Sequence, residues 1–187
     1  FQGKKDVARD APVDDATVFE AASLSKPTVA YVTLLMVDRG LLDLDAPLAR
    51  YLDGSPVPDD PRGERITARH VLSHASGLQN WRFREGDRLR ITFDPGTQFS
   101  YSGEGFVLLQ RALERRSGTA FTRLMREQLF VPLGMPSSSF LWRPDLDAHL
   151  ARPHSNRGTG LEGSGKKTGR ALAEFAAAQA AQKLTRR

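Results

Sequence analysis

Cysteine is missing from all 187 residues. Disulfides, thiolate metal ligands and a cysteine nucleophile are therefore excluded, but the compartment stays open, because periplasmic and secreted bacterial proteins do without cysteine as readily as cytoplasmic ones. Also missing is an apolar run of the roughly 20 residues that a membrane-crossing helix requires, so no span is expected within this chain. The opening, "FQGKKDVARD", has no starting methionine and no basic stretch followed by an apolar one, and any targeting peptide is expected outside the sequence. No repeat of fixed period occurs. With 40% hydrophobic residues, the chain is long enough for one domain with a true core, and its composition excludes wholesale disorder.

Net charge is nearly absent from the body of the chain. The net charge of +5 and an isoelectric point near 9.9 invite a nucleic-acid reading until the charges are located. Residues 1–150 hold 19 Lys and Arg against 20 Asp and Glu, whereas residues 151–187 hold 8 against 2. The body is neutral and the tail basic. Apart from Phe175, that tail has no aromatic interleaving of the kind that stacks on bases, so no nucleic-acid partner is expected.

Turning to what is present, "FQGKKDVARDAPVDDATVFEAA" reads as the end of a strand and a loop, broken by Pro12 and paired aspartates. From Leu24 to Arg39 the apolar residues surround the predicted helix rather than forming one stripe, which marks a central helix covered on most sides and ended by Gly40. Pro27 fits only near the first turn, so the helix is expected to start at or near Ser23. "LLDLDAPLARYL" reads as a loop capped by Asp45 into a short helix, and "ITARHVLSHASGL" as a helix capped by Thr67 and stopped by Gly77. "FDPGTQFSYSGEGFVLLQRALERRSG" gives a Pro-Gly turn, a strand-like piece and an amphipathic helix ended by Gly118. A further helix follows, capped by Thr119, with Phe121, Leu124, Met125 and Leu129 on one face. After "LFVPLGMPSSSFLW" the pattern weakens into the glycine-rich "RPHSNRGTGLEGSGKKTGR", and "ALAEFAAAQAAQKLTRR" has helix propensity but little bulk to bury.

The chemistry concentrates in "FEAASLSKPTVAYVTLLMVDRG", where Ser23 stands three residues ahead of Lys26 at the mouth of the apolar run. A buried ammonium is costly unless it is paired or gives up its proton, and a neutral amine one helical turn from a serine hydroxyl can take that hydroxyl's proton. Three residues of helix supply the reach, and the free N–H groups at the helix start favour an oxyanion formed on attack at a carbonyl. The same Ser-x-x-Lys spacing recurs at Ser164 and Lys167, in a glycine-rich loop without a helix behind it, and carries no such expectation.

Four ordered stretches, "FEAASLSKPTVAYVTLLMVDRGLLDLDAPLARYL", "ITARHVLSHASGL", "PGTQFSYSGEGFVLLQRALERRSGTAF" and "LFVPLGM", resemble the serine β-lactamase-like family, which holds class C β-lactamases, penicillin-binding D-alanyl-D-alanine peptidases and related esterases. The resemblance covers roughly residues 10–142. It implies an α/β (α+β) fold of the β-lactamase/transpeptidase type, with a helical region and an antiparallel sheet that is incomplete here. The whole of 1–187 is then part of one hydrolase domain, ending in the basic tail 151–187. It also implies that Ser23 is the acylated nucleophile, Lys26 its base partner, and Tyr101, in "YSG", the tyrosine of the second motif. An ordinary phenol, with a pKa near 10, is a poor base at neutral pH, but a cationic lysine beside it lowers that value, and the two titrate as a pair. Which of them is the base stays open at this stage.

The family's usual asparagine two residues after that tyrosine contacts the substrate's acylamino side chain, and here the position is Gly103. The departure weakens the β-lactam and D-alanyl-peptide readings and favours an ester or other acyl substrate without that amide. The third motif, Lys-Thr-Gly or His-x-Gly on an edge strand, is expected beyond Arg187 rather than at "KKTG" (166–169), so residues 1–187 alone are expected to hydrolyse little. His70 and His74 have the i, i+4 spacing of a zinc pair, but no glutamate follows the first histidine and no third ligand is evident, so neither metal nor cofactor is expected. The sequence thus points to a serine hydrolase acting on a small ester, amide or peptide, an esterase or amidase first and a D-alanyl peptidase or β-lactamase second. An inactive relative binding cell-wall peptide or a partner is the alternative of another class, disfavoured because Ser23, Lys26 and Tyr101 are all present. The sequence itself leaves the location unknown, and the resemblance favours a periplasmic or secreted one.

Overall fold

A computed structural model of the chain describes residues 2–82, 86–155 and 159–160. They form two compact units, one spanning Ser23–Gly134 and the other made of the described residues before and after it. In the latter, β1 (Lys4–Asp6) and β2 (Ala11–Pro12) pair antiparallel, with Lys4 opposite Pro12 and Asp6 opposite Ala11. The expected strand end is therefore followed by a short return strand, and Pro12 is tolerated because such a brief edge needs no donor from it. Val18 then runs beside Leu150, with Val18 N–H donating to the His149 carbonyl at 2.9 Å and Ala151 N–H to the Val18 carbonyl at 2.8 Å.

The unit Ser23–Gly134 is helical. A single 3₁₀ turn, Ala22–Leu24, leads into α1 (Ser25–Asp38), so Ser23 stands just before the α-helix and not within it. Gly40 follows the helix in a left-handed conformation (φ 66°), as a C′ glycine should. The short α2 (Ala68–Leu72) and the long α3 (Gly103–Ser117) pack together, and α3 also meets α1 and α4 (Phe121–Met125), which continues into a π turn at Arg126–Phe130. Their shared core is built from Val29, Val32 and Met36 of α1, Leu109 and Leu113 of α3, and Met125 and Leu129 beyond it. The Phe121, Leu124, Met125 and Leu129 face is buried as the periodicity predicts.

Two caps and one helix end differ from expectation, the caps because a stronger partner is available. Asp45 does not start the next helix: its carboxylate takes both Nε and Nη2 of Arg69 at 2.6 and 2.8 Å, and the 3₁₀ turn Leu48–Tyr51 begins after Pro47. Thr119 is likewise no cap, since the Phe121 N–H donates to the Glu114 carboxylate at 2.8 Å, reaching back from α3. Thr67 does cap α2, accepting from His70 N–H while its own N–H donates to His70 Nδ1. That helix nevertheless stops at Leu72, five residues ahead of Gly77, because His74 takes a left-handed backbone (φ 55°) and Ala75 N–H donates back to the His70 carbonyl at 2.7 Å. Gly77 (φ 76°) serves a different need, a close approach to the Phe93 carbonyl that leaves no room for a Cβ.

Among the described residues, α1 is covered on one side only. Val29, Val32, Thr33 and Met36 are buried, whereas Leu24, Tyr31 and Leu34, on the opposite side, are 76, 46 and 49% exposed. Its neighbours α3 and the π turn approach from one direction, so a helix apolar all round is left with an open stripe. No helix of the described residues is long and apolar enough to cross a membrane. An open apolar stripe of this kind binds hydrophobic dyes. The 187-residue chain is expected to enhance ANS fluorescence in its native state, and the double substitution Tyr31→Ser, Leu34→Ser to remove most of that signal while shifting Tm by only a few degrees. A dark native state, or a collapse of Tm in the double variant, refutes the open stripe.

Candidate active site

Two separate parts of the chain converge on one oxygen. Lys26, in the first turn of α1, donates from Nζ to Ser23 Oγ at 3.1 Å, and the Tyr101 hydroxyl donates to the same Oγ at 2.6 Å. The lysine contact is local, one turn of chain. The tyrosine contact spans 78 residues and needs its own support. That support is the stretch 97–102, which follows a turn at Pro95 and Gly96, bends at Thr97 and Gln98, and enters α3 at Gly103 from an extended Ser102.

His74 holds this stretch. Its carbonyl accepts from Ser100 N–H at 2.8 Å, its Nδ1 accepts from Ser102 N–H at 3.2 Å, and Gly96 N–H donates to the neighbouring Ala75 carbonyl at 2.8 Å. Because Nδ1 is an acceptor, a neutral His74 carries its proton on Nε2. The imidazole lies 4.4 Å from the Tyr101 ring, centroid to centroid, and 5.4 and 5.9 Å from the rings of Phe106 and Phe99. Ser102, between Tyr101 and α3, is buried; its Oγ caps the helix by accepting from Gly105 N–H at 3.0 Å and donates to the Gln79 carbonyl at 2.9 Å.

The electrostatics follow from this crowding. Lys26 Nζ sits 4.8 Å from the centroid of the Tyr101 ring and 5.5 Å from that of Phe106, an arrangement in which the ring faces attract a cation. Hydrogen bonding with Lys26, and secondly with Ser23, holds the Tyr101 hydroxyl below the ordinary phenol range. Burial, and then the Lys26 charge, push His74 below the ordinary imidazole value, so the ring facing Tyr101 favours its neutral form. The result is a hydroxyl in contact with both an amine and an acidified phenol, an arrangement able to take a proton from Ser23 and return it to a leaving group.

Of the residues singled out in the sequence, Ser23, Lys26 and Tyr101 meet, and Gly103 begins α3 two residues beyond Tyr101. His70 and His74 do not share a helix face: His70 Nδ1 is used at the Thr67 cap and His74 lies past the end of α2. No cluster of three or more potential metal ligands occurs among the described residues. Ser164, Lys167 and the "KKTG" stretch lie outside the described residues. Sequence reasoning missed His74 as a support for Tyr101, and it missed Trp81 altogether. Reading His74 as helical concealed the first, and only the lack of a side chain at Gly103 hinted at the second.

Comparison with known proteins identifies the family. The chain is 31% identical over 169 residues to the esterase EstB of Burkholderia gladioli, covering 75% of this chain and 43% of the esterase. It is 30% identical over 150 residues to the D-alanyl-D-alanine-carboxypeptidase/endopeptidase AmpH of Escherichia coli K12, covering 69% of this chain and 38% of the peptidase. It therefore spans less than half the length of either relative. In three dimensions, a class C β-lactamase superposes with a TM-score of 0.76 at 22% identity, over 87% of this chain and 47% of that one, which establishes the β-lactamase/transpeptidase-like fold. The β-lactamase family model matches residues 1–187 from end to end, and the chain belongs to that family.

Proposed function

We propose that the protein is a serine hydrolase of carboxylic esters or amides working through an acyl-enzyme on Ser23, and that residues 1–187 are part of its hydrolase domain. The observation that carries the reading is the double contact at Ser23 Oγ, from Lys26 Nζ at 3.1 Å and the Tyr101 hydroxyl at 2.6 Å. An amine and an acidified phenol on one serine oxygen have a direct use in activating a nucleophile, whereas a module that merely binds has no need of both. That is the argument against an inactive cell-wall- or partner-binding relative.

In the proposed reaction Tyr101, as phenolate held by the Lys26 cation, takes the Ser23 proton while Oγ attacks the substrate carbonyl carbon. The tetrahedral oxyanion collapses, the bond to the leaving alcohol or amine breaks, and Tyr101 returns the proton to that group. Water, deprotonated by the same phenolate, then attacks the acyl-enzyme; Oγ leaves, takes the proton back, and the acid is released. The lowered pKa of Tyr101 favours this assignment of the base over a neutral Lys26. Gly103, in place of the amide side chain that acylamino substrates use, and the esterase relative favour an ester; the carboxypeptidase relative keeps the D-alanyl peptide reading as the second one. Hydrolysis of a p-nitrophenyl ester in preference to nitrocefin or a D-alanyl-D-alanine peptide separates them.

In the natural full-length protein, a fluorophosphonate probe is expected to label Ser23, with labelling abolished by Ser23→Ala and retained in Ser25→Ala; labelling at Ser25 refutes the assignment. The labelling rate should rise with pH as Tyr101 ionises, with a midpoint below the ordinary phenol value near 10. Lys26→Ala removes the principal cause of the lowered value, so it should slow labelling at neutral pH by about a hundredfold or more and move the midpoint upward. A pH profile unmoved by Lys26→Ala contradicts the coupling.

His74 adds a stability prediction with a definite sign. Its folded pKa lies below the ordinary 6.5, so as pH falls through 6.5 the unfolded chain takes up its proton first and stability declines, until the pH drops below the folded value. His74→Asn, whose side-chain carbonyl can still accept from Ser102 N–H and which tolerates a left-handed backbone, should therefore lose less stability than the parent between pH 7 and 5. Chemical denaturation at the two pH values checks this, and an equal or larger loss in the variant overturns it.

A further inference from the structure

The short strap at residues 79–82 is fastened to the beginning of α3 from both ends. On one side, Asn80 Oδ1 and the Asn80 carbonyl accept from Gly103 N–H at 2.9 and 3.1 Å, and the same carbonyl accepts from Glu104 N–H at 3.0 Å. On the other, Arg82 donates through Nε and Nη2 to the two carboxylate oxygens of the buried Glu104 at 3.0 and 2.9 Å, and its N–H donates to Oε1 at 3.1 Å. Trp81, between these anchors, lies over Gly103. A Cβ built at position 103 would fall inside the indole, 2.5 Å from Cε2 and closer still to Cζ2 and Cη2.

The side of the chain on which this ring sits follows from the backbone. Ser102 is extended (φ −135°, ψ 118°), so its neighbours Tyr101 and Gly103 direct their Cα–Cβ bonds to the same side, while the Ser102 side chain turns inward to cap α3. That shared side is the one from which the Tyr101 hydroxyl reaches Ser23. Trp81 is 41% exposed, so part of the indole remains open on that side.

We infer that Trp81 is a specificity-determining residue, which takes the space of a side chain at position 103 and presents the substrate's acyl group with an apolar wall in place of an amide. The inference rests on the acyl-hydrolase reading of Ser23 and deepens it. The substrate class it names is esters whose acyl group is apolar next to the carbonyl, such as medium-chain alkanoyl or arylacetyl esters, while acylamino substrates meet an indole where they would need a hydrogen-bond partner. An indole edge gives up little by contact with a chain of methylenes, each of which gains from leaving water. An unpaired amide against the same surface is penalised.

The test has two independent arms in the natural full-length protein. In the first, Gly103→Ala is expected to lower Tm by several degrees, because the new Cβ meets the indole, and Trp81→Gly in the same chain to restore most of the loss. A Gly103→Ala variant as stable as the parent overturns the placement of the ring. In the second arm, kcat/KM is measured on p-nitrophenyl acetate and p-nitrophenyl hexanoate. Trp81→Ala should lose at least about tenfold more on the hexanoate than on the acetate, mainly in KM, and Trp81→Phe should recover most of that difference. Equal losses on both esters, or faster hexanoate hydrolysis in Trp81→Ala, overturn the wall, because the ring is then only structural or only an obstruction. If instead the parent protein hydrolyses neither ester and Ser23 resists the fluorophosphonate, it is the acyl-enzyme reading that has failed, and the thermal arm still reports on the ring.

Discussion

The contact between Tyr101 and Ser23 depends on where α2 ends. Lys26 reaches Ser23 by helix geometry alone, but Tyr101 arrives from far along the chain and has to be carried there by backbone contacts. Those contacts are made by His74 and Ala75, whose carbonyls accept from Ser100 and Gly96 and whose imidazole accepts from Ser102. Had α2 run on to Gly77, the same carbonyls would have pointed along the helix axis, away from the Gly96 and Ser100 N–H groups. The left-handed turn at His74 releases them sideways. A non-glycine residue in that conformation costs on the order of 1 kcal/mol, and the three hydrogen bonds it makes available offset that.

The same geometry resolves how a lysine can stand at the mouth of an apolar segment. The Lys26 side chain is not enclosed: it lies at the open beginning of α1, over two aromatic faces that attract a cation. Its positive charge acts on its neighbours. It favours the ionised form of Tyr101 and disfavours the protonated form of His74, and these two effects are mutually consistent, because a cationic imidazole could no longer accept from Ser102 N–H. The charge, together with burial of the ring, keeps His74 a structural acceptor, and it favours the ionised form of Tyr101.

What could be read from the sequence was whatever depends on near neighbours. The Ser-x-x-Lys spacing, the glycines after α1 and α3, the Thr67 cap and the buried face of α4 are all local, and each is found as expected. The failures share a cause as well. Asp45 and Thr119 have cap chemistry, but Arg69 and the Glu114 carboxylate, distant in sequence, compete for the same groups and prevail. The all-round hydrophobicity of α1 implies cover on most sides, and with the sheet expected to be incomplete in this chain part of that face is expected to stay open, as Tyr31 and Leu34 are. The meeting of Tyr101 with Ser23 was legible only through resemblance, since nothing in the spacing of 78 residues implies it.

Position 103 shows how a departure from a family pattern can be misread when taken alone. In the sequence, glycine there registers as a missing amide. In the structure the same glycine leaves the space in which the Trp81 ring sits over the start of α3, and the strap that carries Trp81 is tied down by the buried Glu104 carboxylate and by Asn80. Restoring an asparagine at 103 without changing Trp81 would place its Cβ inside the indole, and removing Trp81 without changing Gly103 would leave a gap lined by backbone. Neither single change recovers a site suited to an acylamino group. The two positions are therefore coupled, in the sense that contacting residues have non-additive effects.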